Sequence, residues 1–364
     1  RWSRGLGDVY KRQVFDMDDP QFLRATPHAD RREVTAYVTV MKGCDERCTF
    51  CIVPYTRGSE RYRPADEIIA EIAELVAGGV REVTLLGQTV NSWHEPGVEA
   101  EAAKRESKTA ASTSQFAALL RRIAREVPEL LRLRYTSPHP RQITSELVAA
   151  HADLELLPAH VHLPVQSGSD RVLRRMARRY TAEDYVTRAG ALQAARAGLT
   201  LSADFIVGFP GETEEDFEQT LDLVKRVGFV AAFAFKYSPR PYTPALKLGD
   251  EVAEEVKDER LARLFSVVET QQQAHLRSLV GRELPVLIAG PSPGDTGRFA
   301  GRSERNEIVH LVAPEGCDPT GELVTVTIDE PFRHSLSGYM RGAEHRDVGG
   351  RRTRLSVLDA GGSV

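Results

Sequence analysis

Cysteine is scarce in this sequence. The 364 residues hold four, too few and too unevenly spread for a disulfide framework of the kind used in oxidising compartments. Long apolar runs are missing too: no stretch approaches the roughly 20 residues that cross a bilayer, which argues against a membrane protein. Nor is there an excess of positive charge. Lys and Arg number 48 against 52 Asp and Glu, a net charge of −4, so no global field advertises nucleic acid and any RNA contact has to be local. The opening stretch, Arg1 to Gln13, lacks the apolar segment of a secretory signal. It matches nothing around it, and residues 1–32 read as a scar or linker ahead of the folded part of a cytoplasmic protein.

What is present fits a soluble globular chain, with 41% hydrophobic residues and a mean hydropathy of −0.33. Its length allows one large core and a small second domain. From about Glu33 to Val280, short β-branched runs alternate with longer segments of helical period. Strands are expected at Val34 to Val40, Val83 to Leu86, Leu131 to Tyr135, His160 to Pro164, Leu201 to Val207 and Phe233 to Tyr237. Helices are expected at Ala65 to Ala77, Phe116 to Glu126, Ser145 to His151, Asp170 to Met176, Ala182 to Ala197, Glu214 to Val227 and Glu251 to Val280. Such alternation implies a parallel α/β sheet or barrel over residues 33–280, with ligands at the carboxyl ends of its strands. There the turns are polar and glycine-rich. Gly87, Gln88, Ser137, Gln166, Ser167 and Gly208 lie in them, and Asp204 lies near the end of its strand; these polar side chains suit an amino acid, a ribose or an adenine edge, or else simply cap turns.

After Gly281 the texture changes to short β segments, Leu284 to Ile288, Arg298 to Arg302, Glu307 to Val312 and Leu323 to Ile328, which imply a small β-barrel over residues 281–340. Residues 341–364 are Gly- and Arg-rich without period and read as a disordered tail. Gly97 to Ser114, charged and rich in Ala and Ser, reads as a surface insertion.

Three of the cysteines form Cys44-x-x-x-Cys48-x-x-Cys51 on a loop after the first strand. Thiolates suit zinc and iron–sulfur clusters alike. Zinc would call for a fourth Cys or a His, and His28 and His94 have no finger spacing. A cluster instead has use for an open iron, and an iron–sulfur centre is the favoured reading. The alternative is a non-catalytic RNA-binding protein with a structural zinc. Cys317, alone downstream, reads as an ordinary cysteine.

The cysteine motif, with Phe50 as the aromatic before Cys51, resembles the signature of the radical S-adenosylmethionine superfamily. The runs Gly43 to Gly58, Leu85 to Asn91, Leu163 to Asp170 and Asp204 to Thr213 resemble its methylthiotransferase subgroup, and the ordered set spans residues 33 to 340. The resemblance implies a partial (β/α)6 barrel with Cys44, Cys48 and Cys51 on a 4Fe-4S cluster. S-adenosylmethionine would bind the open iron, with Phe50, Gly87, Gln88, Ser137, Gln166, Ser167, Asp204 and Gly208 around it. One electron, from a flavodoxin-type or other low-potential donor, then releases a 5′-deoxyadenosyl radical. Pro54 to Gly58 and Gln166 to Ser169 resemble the branch that methylthiolates C2 of N6-isopentenyladenosine-37 in tRNA. Branches acting on threonylcarbamoyladenosine in tRNA or on a ribosomal-protein aspartate rank behind it. The subgroup also has an N-terminal domain with three cysteines for an auxiliary cluster. No cysteine precedes Cys44, so the expectation is a chain lacking that domain and unable to insert sulfur alone.

For RNA, Arg171, Arg174, Arg175, Arg178 and Arg179 have the spacing of a basic stripe along one helix, suited to phosphates, or merely of a solvated face. The last segment resembles the TRAM module, an OB-like RNA-binding barrel, although from Gly281 on it carries 10 Lys and Arg against 12 Asp and Glu.

Overall fold

The structure, a computed structural model, describes Phe22, Arg24 and residues 33–97, 115–293 and 297–340. The linker read over residues 1–32 lies almost wholly outside these residues, and so do the insertion from 98 to 114 and the tail from 341. Along the chain come β1 (Thr35–Thr39), β2 (Met41–Lys42), α1 (Val53–Arg57), β3 (Arg61–Tyr62), α2 (Ala65–Ala77), β4 (Glu82–Leu86), α3 (Gln115–Glu126) and β5 (Arg132–Tyr135). Then follow α4 (Ser145–Asp153), β6 (His160–His162), α5 (Asp170–Arg175), α6 (Ala182–Ala195), β7 (Thr200–Val207), α7 (Glu214–Val227), β8 (Ala231–Lys236) and the long α8 (Glu254–Ser278). The last part holds β9 (Glu283–Pro291), β10 (Phe299–Ser303), β11 (Ile308–Val312), β12 (Leu323–Pro331) and β13 (Ser335–Met340).

Helices α4, α5, α6 and α7 start where the side chains of Thr144, Ser169, Thr181 and Thr213 accept one of the first free N–H groups. Thr181 and Asp184 form a reciprocal cap on α6, and Thr213 and Asp216 do the same on α7. Helix α7 then stops at Gly228, left-handed at φ 73°, the usual way to leave a helix.

Apart from the short antiparallel pair β2-β3, the strands of the first part pair in parallel as two three-stranded sheets, β1-β4-β5 and β6-β7-β8. This is the expected α/β barrel in an open form. Alternation sends one set of side chains outward: Val38, Val83, Leu85, Leu133, Val161, Leu201 and Phe205 are fully or almost fully buried in one core with the helices. The other set faces the lumen, where the register sets Phe233 beside Asp204 and Phe235 beside Ile206.

The last part is a closed barrel in the order β10-β11-β13-β12-β9. Its pairs are antiparallel except β11 with β13, as the OB-like reading requires. Strand β13 was not among the expected strands, because Ser335, Ser337 and Gly338 interrupt any apolar alternation. Gly338 is there for space: a Cβ on it would stand 2.5 Å from the Thr327 carbonyl oxygen. The barrel has its own apolar core of Val286, Ile288, Val309, Leu311, Val326 and Ile328, into which α8 contributes Leu276.

Polar contacts fasten this barrel to the amino ends of the parallel strands. Arg132, at the start of β5, donates to the carbonyls of Arg302 at 2.6 Å, Ser303 at 3.2 Å and Pro285 at 3.1 Å. Arg305 donates to Gly198 O at 2.8 Å, His275 meets Glu307 at 2.6 Å, and Arg196 pairs with Glu304.

Candidate cluster and cofactor site

The three-cysteine loop leaves the carboxyl end of β1 through the short β2. Gly43 opens it at φ 80°, and a Cβ there would lie 2.0 Å from Ser59 O, so the loop closes only with glycine at this point. Cys44 N–H donates to Gly58 O at 3.1 Å and Cys51 N–H to Cys48 O at 3.1 Å. Thr49 ties the loop to the opposite sheet: its hydroxyl donates to Arg175 O at 2.8 Å, and its carbonyl accepts from Ala245 N–H at 2.9 Å. All three thiols are free, Cys44 and Cys48 buried and Cys51 half-buried. The Cys44 sulfur lies 3.0 Å from Thr89 Oγ1, and Arg178 Nη1 lies 3.5 Å from the Cys48 sulfur.

Burial pushes the Cys44 thiol up to about 11 and raises that of Cys51. Both therefore stay protonated at neutral pH until a metal takes the place of the proton. Among the described residues no three His, Cys, Asp or Glu side chains gather as a single ion would need. A zinc ion requires its donors within about 2.3 Å of one centre, whereas a cluster receives each thiolate on a separate iron. Three free thiols on one loop, one beside a hydroxyl and one beside a guanidinium, are a donor set that fits a 4Fe-4S cluster.

Beside the loop opens a cleft of about 740 Å³, lined among others by Phe50, Gln166, Asp204, Ile206, Phe235, Tyr237 and Arg240. Gln166 extends the ladder beyond β6 by a bridge to Phe205, at φ 78°. Around the strand ends the buried polar atoms without a hydrogen-bond partner include Gln88 Oε1, His139 Nε2 and Tyr237 OH. Buried groups are normally satisfied, so such atoms mark a surface shaped for something polar. Burial, with Arg178, Arg141 and Arg188 nearby, lowers His139 to about 2 and keeps it neutral.

The remaining expected site residues are placed as follows. Gly87 and Gln88 directly follow β4, next to Thr89. Ser137 is half-buried at φ 57° with its hydroxyl 3.3 Å from that of Thr136. Ser167 is fully buried and spent on the turn, accepting from Ser169 N–H at 3.2 Å and lying 3.3 Å from Thr220 Oγ1. Gly208 donates to Glu212 Oε2 at 2.6 Å. Of the eight residues expected around the cofactor, only Phe50, Gln166 and Asp204 line the cleft.

The basic stripe requires correction. Helix α5 ends at Arg175, Ala177 turns left-handed at φ 58°, and Arg178 N–H closes the end on Leu173 O at 2.8 Å. Arg178 and Arg179 are thereby off the helix. Arg171 pairs with the buried Asp216, and Arg175 donates to Pro210 O at 3.1 Å. Arg178 turns inward to Cys48, donating also to Pro164 O at 3.3 Å and lying 5.5 Å from the centre of the Tyr180 ring. Of the five, Arg174 and Arg179 are exposed without such ties. Sequence reasoning also passed over Thr89 and Tyr237; the one available signal was their place at the carboxyl ends of β4 and β8.

An open parallel α/β barrel with a three-thiolate loop at the carboxyl ends of its strands is the architecture of a cluster-dependent enzyme. A family model described as the Radical SAM superfamily matches residues 38–224. The tRNA-2-methylthio-N(6)-dimethylallyladenosine synthase of Sorangium cellulosum is 57% identical over 344 residues, covering 91% of this chain and 69% of that protein. The synthase of the same name from Acidithiobacillus ferrooxidans is 46% identical over 308 residues, covering 85% and 65%. The chain thus spans about two thirds of the length of these relatives. Among solved structures, coproporphyrinogen III oxidase from Escherichia coli, described as a radical SAM enzyme, aligns with a TM-score of 0.47 and 17% identity over 76% of this chain and 68% of that one. The chain belongs to the radical SAM superfamily, in the family of the tRNA-2-methylthio-N(6)-dimethylallyladenosine synthases.

Proposed function

We propose that this chain is the radical-generating and RNA-contacting part of a transferase that methylthiolates C2 of N6-dimethylallyladenosine-37 in tRNA. The observation that carries the reading is the loop of three free thiols at the rim of the cleft, in a chain 57% identical to a synthase of that name. Cys44, Cys48 and Cys51 hold the cluster, while Thr89 and Arg178 approach two of the sulfurs. Bound there, a 4Fe-4S cluster with S-adenosylmethionine supplies one-electron cleavage of a sulfonium and hence a hydrogen-abstracting carbon radical.

The chain's own residues orient and dry that chemistry. Phe50 packs with Val172, Met176, Phe209 and Tyr237 in an apolar cluster beside the loop, which limits water near the sulfurs. Gln166 and Asp204 present polar groups to the cleft, and Gln88, His139 and Tyr237 add unpartnered polar atoms at the strand ends. Uptake of sulfur belongs, on this reading, to an auxiliary cluster outside the radical-generating barrel. The small barrel and the exposed Arg174 and Arg179 are the parts offered to RNA, in the cytoplasm, with a flavodoxin-type or other low-potential protein as donor. Among the described residues no helix is long and apolar enough to cross a membrane.

Anaerobic reconstitution tests the reading. Brown protein with about four irons and four sulfides per chain, releasing 5′-deoxyadenosine on reduction with S-adenosylmethionine, is the expected result. Colourless protein with stoichiometric zinc would overturn it, and methylthiolated tRNA made by this chain alone would overturn the assignment of sulfur insertion to an auxiliary cluster outside this barrel.

A further inference from the structure

A polar pair inside the lumen lies at the edge of the cleft. Strands β6 and β7 run parallel with His162 in register with Ser202, and the two-residue period of β7 sends Ser202 and Asp204 to the same face. The imidazole of His162 therefore has a neighbour on each nitrogen: Nδ1 lies 2.9 Å from Ser202 Oγ and Nε2 lies 3.3 Å from Asp204 Oδ1. Both contacts are satisfied together when the proton sits on Nε2, facing the carboxylate, and Nδ1 accepts from the Ser202 hydroxyl. Phe233, in register with Asp204 on β8, meets the imidazole edge-on with ring centres 5.8 Å apart, which restricts its rotation.

We infer that His162 is a positioning residue, which fixes the Asp204 carboxylate so that its second oxygen accepts a hydroxyl or amino proton from a nucleoside ligand in the cleft. This rests on the function proposed above and assigns to His162 and Ser202 a part in it. Asp204 lines the cleft together with Gln166 and Phe50. Among the described residues no cation or donor other than His162 meets its carboxylate. A half-exposed pair of this kind contributes little to stability, whereas a carboxylate already held in its binding rotamer loses less entropy when ligand arrives.

Equilibrium binding of S-adenosylmethionine to the cluster-loaded chain tests the inference without relying on turnover. Asp204→Asn should weaken binding by roughly 10-fold or more, and His162→Phe by roughly 3- to 10-fold. His162→Gln, which keeps an N–H donor, should recover most of the loss. Because His162 acts through Asp204, the double variant His162→Phe with Asp204→Asn should bind no more weakly than Asp204→Asn alone. Wild-type affinity in His162→Phe, or losses that add in the double variant, would overturn the inference. Should His162→Phe fail to take up its cluster, Ser202→Ala leaves the imidazole in place but frees Nδ1. Weakening of about 2- to 3-fold is then expected, and unchanged affinity would count against the pairing. A wild-type chain that loads its cluster yet binds no S-adenosylmethionine would instead sink the proposed function, and this inference with it.

Discussion

The two ends of the parallel strands use their polar groups differently. At the amino ends, polar groups reach across to the small barrel and find partners: Arg132 on three carbonyls, Arg305 on Gly198, His275 on Glu307 and Arg196 on Glu304. At the carboxyl ends, three thiols are free and Gln88, His139 and Tyr237 each leave a buried polar atom without a partner. An unmade hydrogen bond in a buried place costs about 1–3 kcal/mol. Beside the cleft the chain carries that cost at Gln88, His139 and Tyr237; at the barrel junction it carries it at Arg134 Nη1, while Glu82 Oε2 and Arg134 Nε offset theirs by an ion pair at 3.1 Å.

Four substitutions would break or sharpen this contrast. The largest effect is expected from Cys48→Ala, which should abolish iron and sulfide uptake, read as metal content and visible absorbance. It should leave the amino-end contacts intact, read as an unchanged proteolysis pattern of the apoprotein. Arg132→Met acts at the other end. It strips three carbonyls of a donor and leaves Glu82, 3.8 Å from the guanidinium, with Arg134 alone, so urea unfolding should show a loss of about 2–4 kcal/mol while cluster uptake survives. Gly338→Ala forces a Cβ against the Thr327 carbonyl and should destabilise by about 1–3 kcal/mol, with hydrogen exchange rising in β12 and β13 but not in β6 or β7. Thr89→Val should be the mildest. Cluster content stays the same, and the potential, followed by redox titration, moves to more negative values because one donor to a ligand sulfur is gone.

Much of the fold was legible because its signals are local. Helices α2 and α7 fall on the expected residues, since both have a clear apolar period and α7 adds a capping box and a closing glycine. The short β2, α1 and β3 around the cysteine loop were invisible, being two to five residues long and set by where the loop must go rather than by any period. The arginines show the same limit from the other side. Their spacing is perfect for a helix face, yet spacing carries no information on where the helix stops. Ala177 turned left-handed, and that single turn sent Arg178 to the Cys48 sulfur instead of toward solvent. Ser167 looked like a ligand group and is occupied by its own turn, because a hydroxyl finds the nearest backbone partner first.

The amino-acid sequence by itself determined the donor chemistry, three thiols on one loop, and the alternation that makes parallel strands and their covering helices. Both follow from residues close together in the chain. Which polar groups face the cleft, which are spent on the fold and which pin the small barrel in place was decided only by tertiary structure. Those outcomes depend on distances between residues up to 171 positions apart, which packing fixes and sequence order does not express.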